Sequence, residues 1–206
     1  MKTNFLLRSI IILAATAVIF SCKKSKSDNP NTTEEIKAGT KWVFKVSELN
    51  EAGTVISSNN YTLVASAQTF AGSSWFVLTE QTTSTPVIAI QKRSDGWWQL
   101  PLPYTTASLW YKTNAAVNDT YNITISDGTT DVAKVTSITA SVTVPAGTYN
   151  NCTKVESHDT NSLENEYWFT GSGPIVVKIT EYDEKAAGPA SNIYMAQLWE
   201  LVSFTK

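Results

Sequence analysis

Histidine occurs once in this chain of 206 residues, at position 158, and that scarcity removes whole classes of chemistry. A multi-histidine metal centre cannot be built, and a nucleophile–histidine–acid triad would have to use that single imidazole. Neither a Gly-x-Ser-x-Gly elbow nor a glycine-rich phosphate loop is present. Charge is also sparse, at 17% of residues, and the formal balance is −2. The basic cluster that stands out, Lys23, Lys24 and Lys26, lies in a polar stretch near the N-terminus. This excludes a nucleic-acid binder, in which neutralised phosphates dominate affinity. The longest apolar run, Ile10 to Phe20, has eleven residues, too few to cross a hydrocarbon core of about 30 Å as a helix. The expectation is a non-enzymatic protein with no cofactor and no metal.

The short run has a different meaning because of what surrounds it. Lys2 and Arg8 precede it, and Ile19-Phe20-Ser21-Cys22 follows, leading at once into Lys23 and Lys24. A positive start, a short apolar centre and a small residue at the end are the parts of an export signal. Aliphatic, any, small, cysteine resembles the lipobox of bacterial lipoproteins, which implies a signal peptide over 1–21 and acylation of Cys22 as the new N-terminus. One acyl chain holds a protein marginally, whereas two or more anchor it stably. Lys23 to Ala38 has no aromatic residue and is rich in Lys, Ser, Asn, Thr and Glu, so 22–39 reads as a lipidated cysteine and flexible tether. Sixteen such residues would reach roughly 20 to 25 Å on average.

The Ser-Cys-Lys-Lys junction is similar to that of Bacteroidota-type lipoproteins. The lack of Asp after the cysteine implies the outer membrane, and the basic rather than acidic cluster implies its periplasmic face. Loss of Lys2 and Arg8 with the leader would move the formal charge to −4. If Cys22 carries lipid, Cys152 has no partner within the chain. It is then either a reactive or bridging thiol or a small buried apolar residue, and "NNCTKVE" has none of the cationic neighbours that would activate it.

From 40 to 206 the texture is uniform, without repeats or a composition break, and implies a single β domain. "KWVFKVSEL" sets Trp42, Phe44 and Val46 on one face against Lys45 and Ser47 on the other, the period of a strand. "NNYTLVASAQTF" and "SSWFVLTEQTT" predict a hairpin around Ala71-Gly72. "VIAIQKRSDGWWQLPL" predicts another, with Asp95-Gly96 as a two-residue type I′ turn. Pro101 and Pro103 imply that the strand after this turn lies at an edge or ends early. "SLWYKTN", "DTYNITI", "AKVTSITASVTV", "CTKVESHD", "NEYWFTG", "IVVKITEYD" and "AQLWELVSF" continue the pattern. The expected fold class is all-β: a single curved antiparallel sheet, half-barrel or open barrel, of about ten strands with little or no helix.

In "VTVPAGTYNNCTKVE", "NEYWFTGSGPIVVKITEYD" and "QLWELVSF" the last 70 residues or so resemble exported proteins related to the lipoprotein-carrier half-barrels, the LolA/LolB fold. The matching elements are Val144 to Tyr149, Tyr167 to Lys178 and Leu198 to Phe204. The resemblance implies a half-barrel and carries no chemistry. The chain lacks the helices that cover the concave face of the carriers, so lipid transport does not follow from it.

The densest polar group is His158, Asp159, Glu164 and Glu166, which reads as a solvated hairpin loop rather than an acid/base or metal site. Glu181, Asp183 and Glu184 read as the charged end of a strand, and "SDGTTD" around Asp127 as a turn without the remaining ligands of a calcium loop. Aromatic residues are the one excess, with tryptophan at 42, 75, 97, 98, 110, 168 and 199. Most are expected in the core. Trp97 and Trp98 are strand neighbours and face opposite sides, so at most one lies in it. The candidate apolar-groove lining is Trp42, Phe44, Trp98 and Leu100, suited to an apolar ligand or lipid. The alternative is a structural or accessory lipoprotein that docks on an envelope protein or glycan through exposed aromatics.

Overall fold

The computed structural model describes residues 36–70, 72–103, 105–125, 128–159, 162–187 and 192–206. The proposed leader 1–21, Cys22 and Asp127 lie outside them. Within them the chain is all-β, a single antiparallel sheet of twelve strands nearly closed into a barrel. The strands are β1 (Lys41–Leu49), β2 (Val55–Phe70), β3 (Ser73–Glu80), β4 (Pro86–Arg93), β5 (Gly96–Pro101), β6 (Ser108–Lys112), β7 (Thr120–Thr124), β8 (Thr130–Val144), β9 (Gly147–His158), β10 (Leu163–Phe169), β11 (Val176–Glu184) and β12 (Ile193–Thr205). The last is a strand throughout, as its alternation requires.

Each strand pairs with its sequence neighbours except β6 with β7, and β1 also pairs with β12, from Lys41↔Thr205 to Glu48↔Gln197. A sheet this wide curls under its own twist, and here the curl brings β6 and β7 together without a ladder between them. Side chains close that seam instead. Thr124, 2% exposed, donates its amide to Ser108 Oγ (2.8 Å) and accepts at its carbonyl from Gln99 Nε2 (2.6 Å). Tyr121 donates its hydroxyl to the Trp110 carbonyl (3.0 Å), and Lys112 pairs with Asp119 (2.7 Å).

Side-chain alternation sets the inside. Trp42 and Phe44 are 2% and 3% exposed while Lys41 and Lys45, one position away, face solvent. Through the pairings Trp42↔Leu63, Ala65↔Leu78, Leu78↔Ile88 and Ile90↔Gln99, this inner face continues across β2, β3, β4 and β5. On the far wall Phe169 is fully buried, its ring 5.4 Å from Trp110 and 5.6 Å from Tyr167. The outer face of β9 to β12 carries Lys154, Glu156, Glu166, Lys178 and Glu200. Apolar inside and charged outside is the reverse of a membrane-spanning barrel, whose strands turn apolar residues to lipid.

The longest hairpin, β8–β9, is bent by irregularities between Val135 and Ser137, Ser137 and Ala140, and Ala140 and Val142, as bulges bend strands. Its tip folds back onto the body, where Ala146 N–H bonds the Leu201 carbonyl (2.9 Å). Val142, Val144 and Cys152 are thereby buried.

Two expectations are revised, and a third is resolved between its alternatives. The folded part begins earlier than 40: Ile36 is 4% exposed in the core, and Gly39 N–H bonds the Ala65 carbonyl (2.8 Å). The β4–β5 turn is Ser94-Asp95, with Arg93 paired to Gly96. Gly96 is needed instead for close approach, since a Cβ there would sit 1.9 Å from the Tyr111 carbonyl oxygen of β6. β5 does end early, at Pro101, but it lies between β4 and β6 rather than at an edge.

Candidate functional site

A cavity of about 320 Å³ occupies the barrel interior, within the lower part of the size range of small-ligand sites, about 300–1,000 Å³. Its walls come from many strands, which is what a curled sheet with one apolar face produces. Trp42, Phe44, Ile90, Trp110 and Ile179 are among the lining residues.

The two ends of the barrel differ. Successive strands reverse direction, so the start of β1 and the β10–β11 turn share one end, while the ends of β5, β7 and β11 and the start of β10 share the other. The first end is stoppered. Trp42 Nε1–H bonds the Pro174 carbonyl (2.8 Å), and Ile36 and Ile175 are almost fully buried. Ile175 holds a φ of 65°, rare for a β-branched residue. Its amide and carbonyl are tied to Ser172 and Thr170, which keeps the side chain on the cavity wall.

The second end is polar. Gln99, Glu164, Asn165, Glu181 and Tyr182 line the cavity there. Burial raises the pKa of Glu181, with the nearby Trp199 indole N–H working the other way. Burial also raises that of Glu164; Ser162 donates to it (2.9 Å), while the negative charges of Asp159, Asp131 and Glu184 add to the rise. Tyr182 donates its hydroxyl to Glu166 (2.8 Å), which also pairs with Lys154. Among the described residues no group of three or more His, Cys, Asp or Glu is placed to hold a metal ion.

Of the four residues proposed for the groove, Trp42 and Phe44 line the cavity and Trp98 and Leu100 do not. The strand neighbours do face opposite sides, but Trp97 is the inward one, 6% exposed in the main core. Trp98 and Leu100 belong to a separate cluster on the outer face with Trp75, Val77 and Ala89, packed by Leu102 and Ala107 from the β5–β6 connection. That cover makes β5 apolar on both faces, which erases the alternation that would have distinguished them. The Arg93 guanidinium lies 4.1 Å from the Trp98 ring centre, and Asp95 accepts from its indole N–H (2.9 Å).

Glu164, expected in a solvated hairpin loop, and Glu181, expected at the charged end of a strand, instead line the cavity. For Glu181 the signal was present: in "VVKITEYDE" it follows Val177 and Ile179 on the buried parity. Glu164 carried no such signal. His158 sits apart, 3.6 Å from Glu156 on the neighbouring outer face.

The fold and cavity together define a near-closed β-barrel with an apolar chamber stoppered at one end and acidic at the other. No protein-family model, curated protein or solved structure matches the chain.

Proposed function

We propose that this protein is a lipid-anchored, non-enzymatic envelope protein, held at the periplasmic face of the outer membrane through Cys22, that binds an apolar small molecule or lipid in its barrel. The observation that carries the reading is the 320 Å³ cavity with Trp42, Phe44 and Trp199 in its wall. A largely preformed apolar chamber with a few polar groups at one end is how such ligands are held. The charged outer face fits a domain that stands in water on a tether rather than in a bilayer.

The competing reading, docking on a protein or glycan through exposed aromatics, needs flat open rings. The outward tryptophans are instead covered by cations: Arg93 on Trp98, and Lys154 and Lys178 on Trp168 at 5.2 and 4.8 Å. Such contacts occupy the ring faces on which a sugar would stack.

The test is titration with an environment-sensitive apolar dye, expected to show one site per chain. Ile179→Trp, which fills the lumen from β11, abolishes dye binding, whereas Trp98→Ala, outside the cavity, leaves it unchanged. Dye that binds both variants equally refutes the reading. The anchor is tested separately by fatty-acid labelling, which Cys22→Ala should eliminate.

A further inference from the structure

The polar end of the cavity is one-sided in its hydrogen-bonding capacity. Gln99, 4% exposed, gives its amide nitrogen to the Thr124 carbonyl (2.6 Å). Because that partner can only accept, the orientation of the amide is fixed, and the acceptor that this cavity-lining residue offers is its carbonyl oxygen. The donors beside it are engaged elsewhere: Asn165 Nδ2 with Ser157 (3.2 Å) and the Tyr182 hydroxyl with Glu166 (2.8 Å). Two carboxylates, Glu164 and Glu181, complete this end. The ion pairs Lys112–Asp119, Lys154–Glu156 and Lys154–Glu166 do not include either cavity glutamate. Gln99 and Asn165 each keep one further amide N–H, but two carboxylates and an amide oxygen outnumber these, so the polar end is richer in acceptors than in donors and its formal charge is negative.

We propose that the ligand is an amphiphile with a protonated amine at its head, its apolar body against Trp42, Phe44 and Ile179 and its ammonium among Glu164, Glu181 and the Gln99 carbonyl oxygen. This rests on the cavity-binding reading above and narrows it to one chemical class. An ammonium presents three donors and no acceptor, the complement of that set, and charge-assisted bonds to carboxylates are the strong ones. A fatty acid would place a third carboxylate against two that burial already disfavours in their charged form. A metal ion is a poor fit, since the described acids do not converge into a coordinating group.

Octylamine, octanoate and octanol differ in the head group alone and separate the possibilities. Each is titrated against the full-length protein carrying the apolar dye, and displacement is read. Octylamine is expected to displace the dye at a concentration at least tenfold below that of octanoate, with octanol between. In the double variant Glu164→Gln, Glu181→Gln, which keeps shape and removes charge, the amine loses its advantage over octanol, each displacement being read against the dye affinity of the variant itself. The retained dye shows that the cavity is intact. Should the double variant fail to hold the dye, the single substitutions carry the comparison, each losing part of the advantage. Octanoate binding as tightly as octylamine, or an amine preference that survives both substitutions, overturns the proposal and leaves an apolar cavity of other specificity. Failure of the dye to bind the unaltered protein overturns the cavity reading itself.

Discussion

Replacing Ser108 with Ala removes one oxygen from the seam between β6 and β7, and the structure says what that oxygen does. It accepts the Thr124 amide at 2.8 Å, and Thr124 is 2% exposed, so water cannot take its place. A buried donor left without a partner costs about 1 to 3 kcal/mol. With a urea dependence of about 3 kcal/mol per molar, the upper part of the usual range and suited to a domain of this size, the unfolding midpoint should fall by roughly 0.3 to 1 M. Local effects should be larger than global ones. At 1.4 kcal/mol per tenfold, the same loss speeds hydrogen exchange of the Thr124 amide about 5- to 150-fold if the seam opens locally. The internal control is Lys112→Met, which removes the Lys112–Asp119 pair across the same seam. Those side chains are 38% and 29% exposed, and such pairs contribute little in water. A midpoint shift for Ser108→Ala no larger than that of the control, with Thr124 exchange unchanged, would refute the account of the seam as a side-chain latch.

Glu80 accepts from the Thr83 hydroxyl and from the Thr82 and Thr83 amides in the β3–β4 turn, the Thr82 amide at 2.8 Å, and these bonds pull its pKa down to about 2. A carboxylate depressed in the folded state stabilises above its unfolded value and loses that contribution as pH falls through the folded one. Acid unfolding between pH about 4.5 and 2 should therefore be blunted in Glu80→Gln, as read from midpoints across that range. Cys152 is fully buried and burial pushes its thiol up to about pH 11, so a water-soluble alkylating reagent at neutral pH should modify it only on denaturation. Rapid stoichiometric labelling of the native protein would contradict its placement.

How much of this could be read in the sequence differs strand by strand, for physical reasons. β1 is legible from Lys41 to Lys45, where "KWVFK" alternates between a wet face and a dry one, although Ser47, on the parity of the lysines, is buried as well. β5 is not. "GWWQLP" is apolar on both faces because the β5–β6 connection covers its outside, and period two then carries no sign. The Asp-Gly pair suggested a turn at 95–96, yet the glycine is demanded by a neighbour's carbonyl at 1.9 Å, a tertiary fact that no local propensity encodes. Ile36 looked like part of a polar tether because a single apolar residue among Thr, Glu and Lys has no period at all. The strand content and the curl of the sheet toward a barrel were legible, but which strands meet at the seam was not, since the side chains that meet there are far from being a motif. Of the cavity, Trp42 and Phe44 were readable from alternation, and Glu181 should have been, as a carboxylate on an apolar parity.

The order of the strands has one more consequence. Every ladder in this sheet joins neighbours in the chain except β1 with β12, which brings Lys41 against Thr205. Contacts between residues distant in sequence are the ones that slow folding, so this molecule concentrates its slow step in a single closure that waits for the last strand. Until then β1, with Trp42 and Phe44 on its face, has an open edge on one side. Joining residue 206 to residue 36 through a short linker and opening the chain between β6 and β7, where no ladder is lost, would make every strand pairing local. The rearranged chain would fold faster than the natural one to the same barrel, with its new ends at the seam.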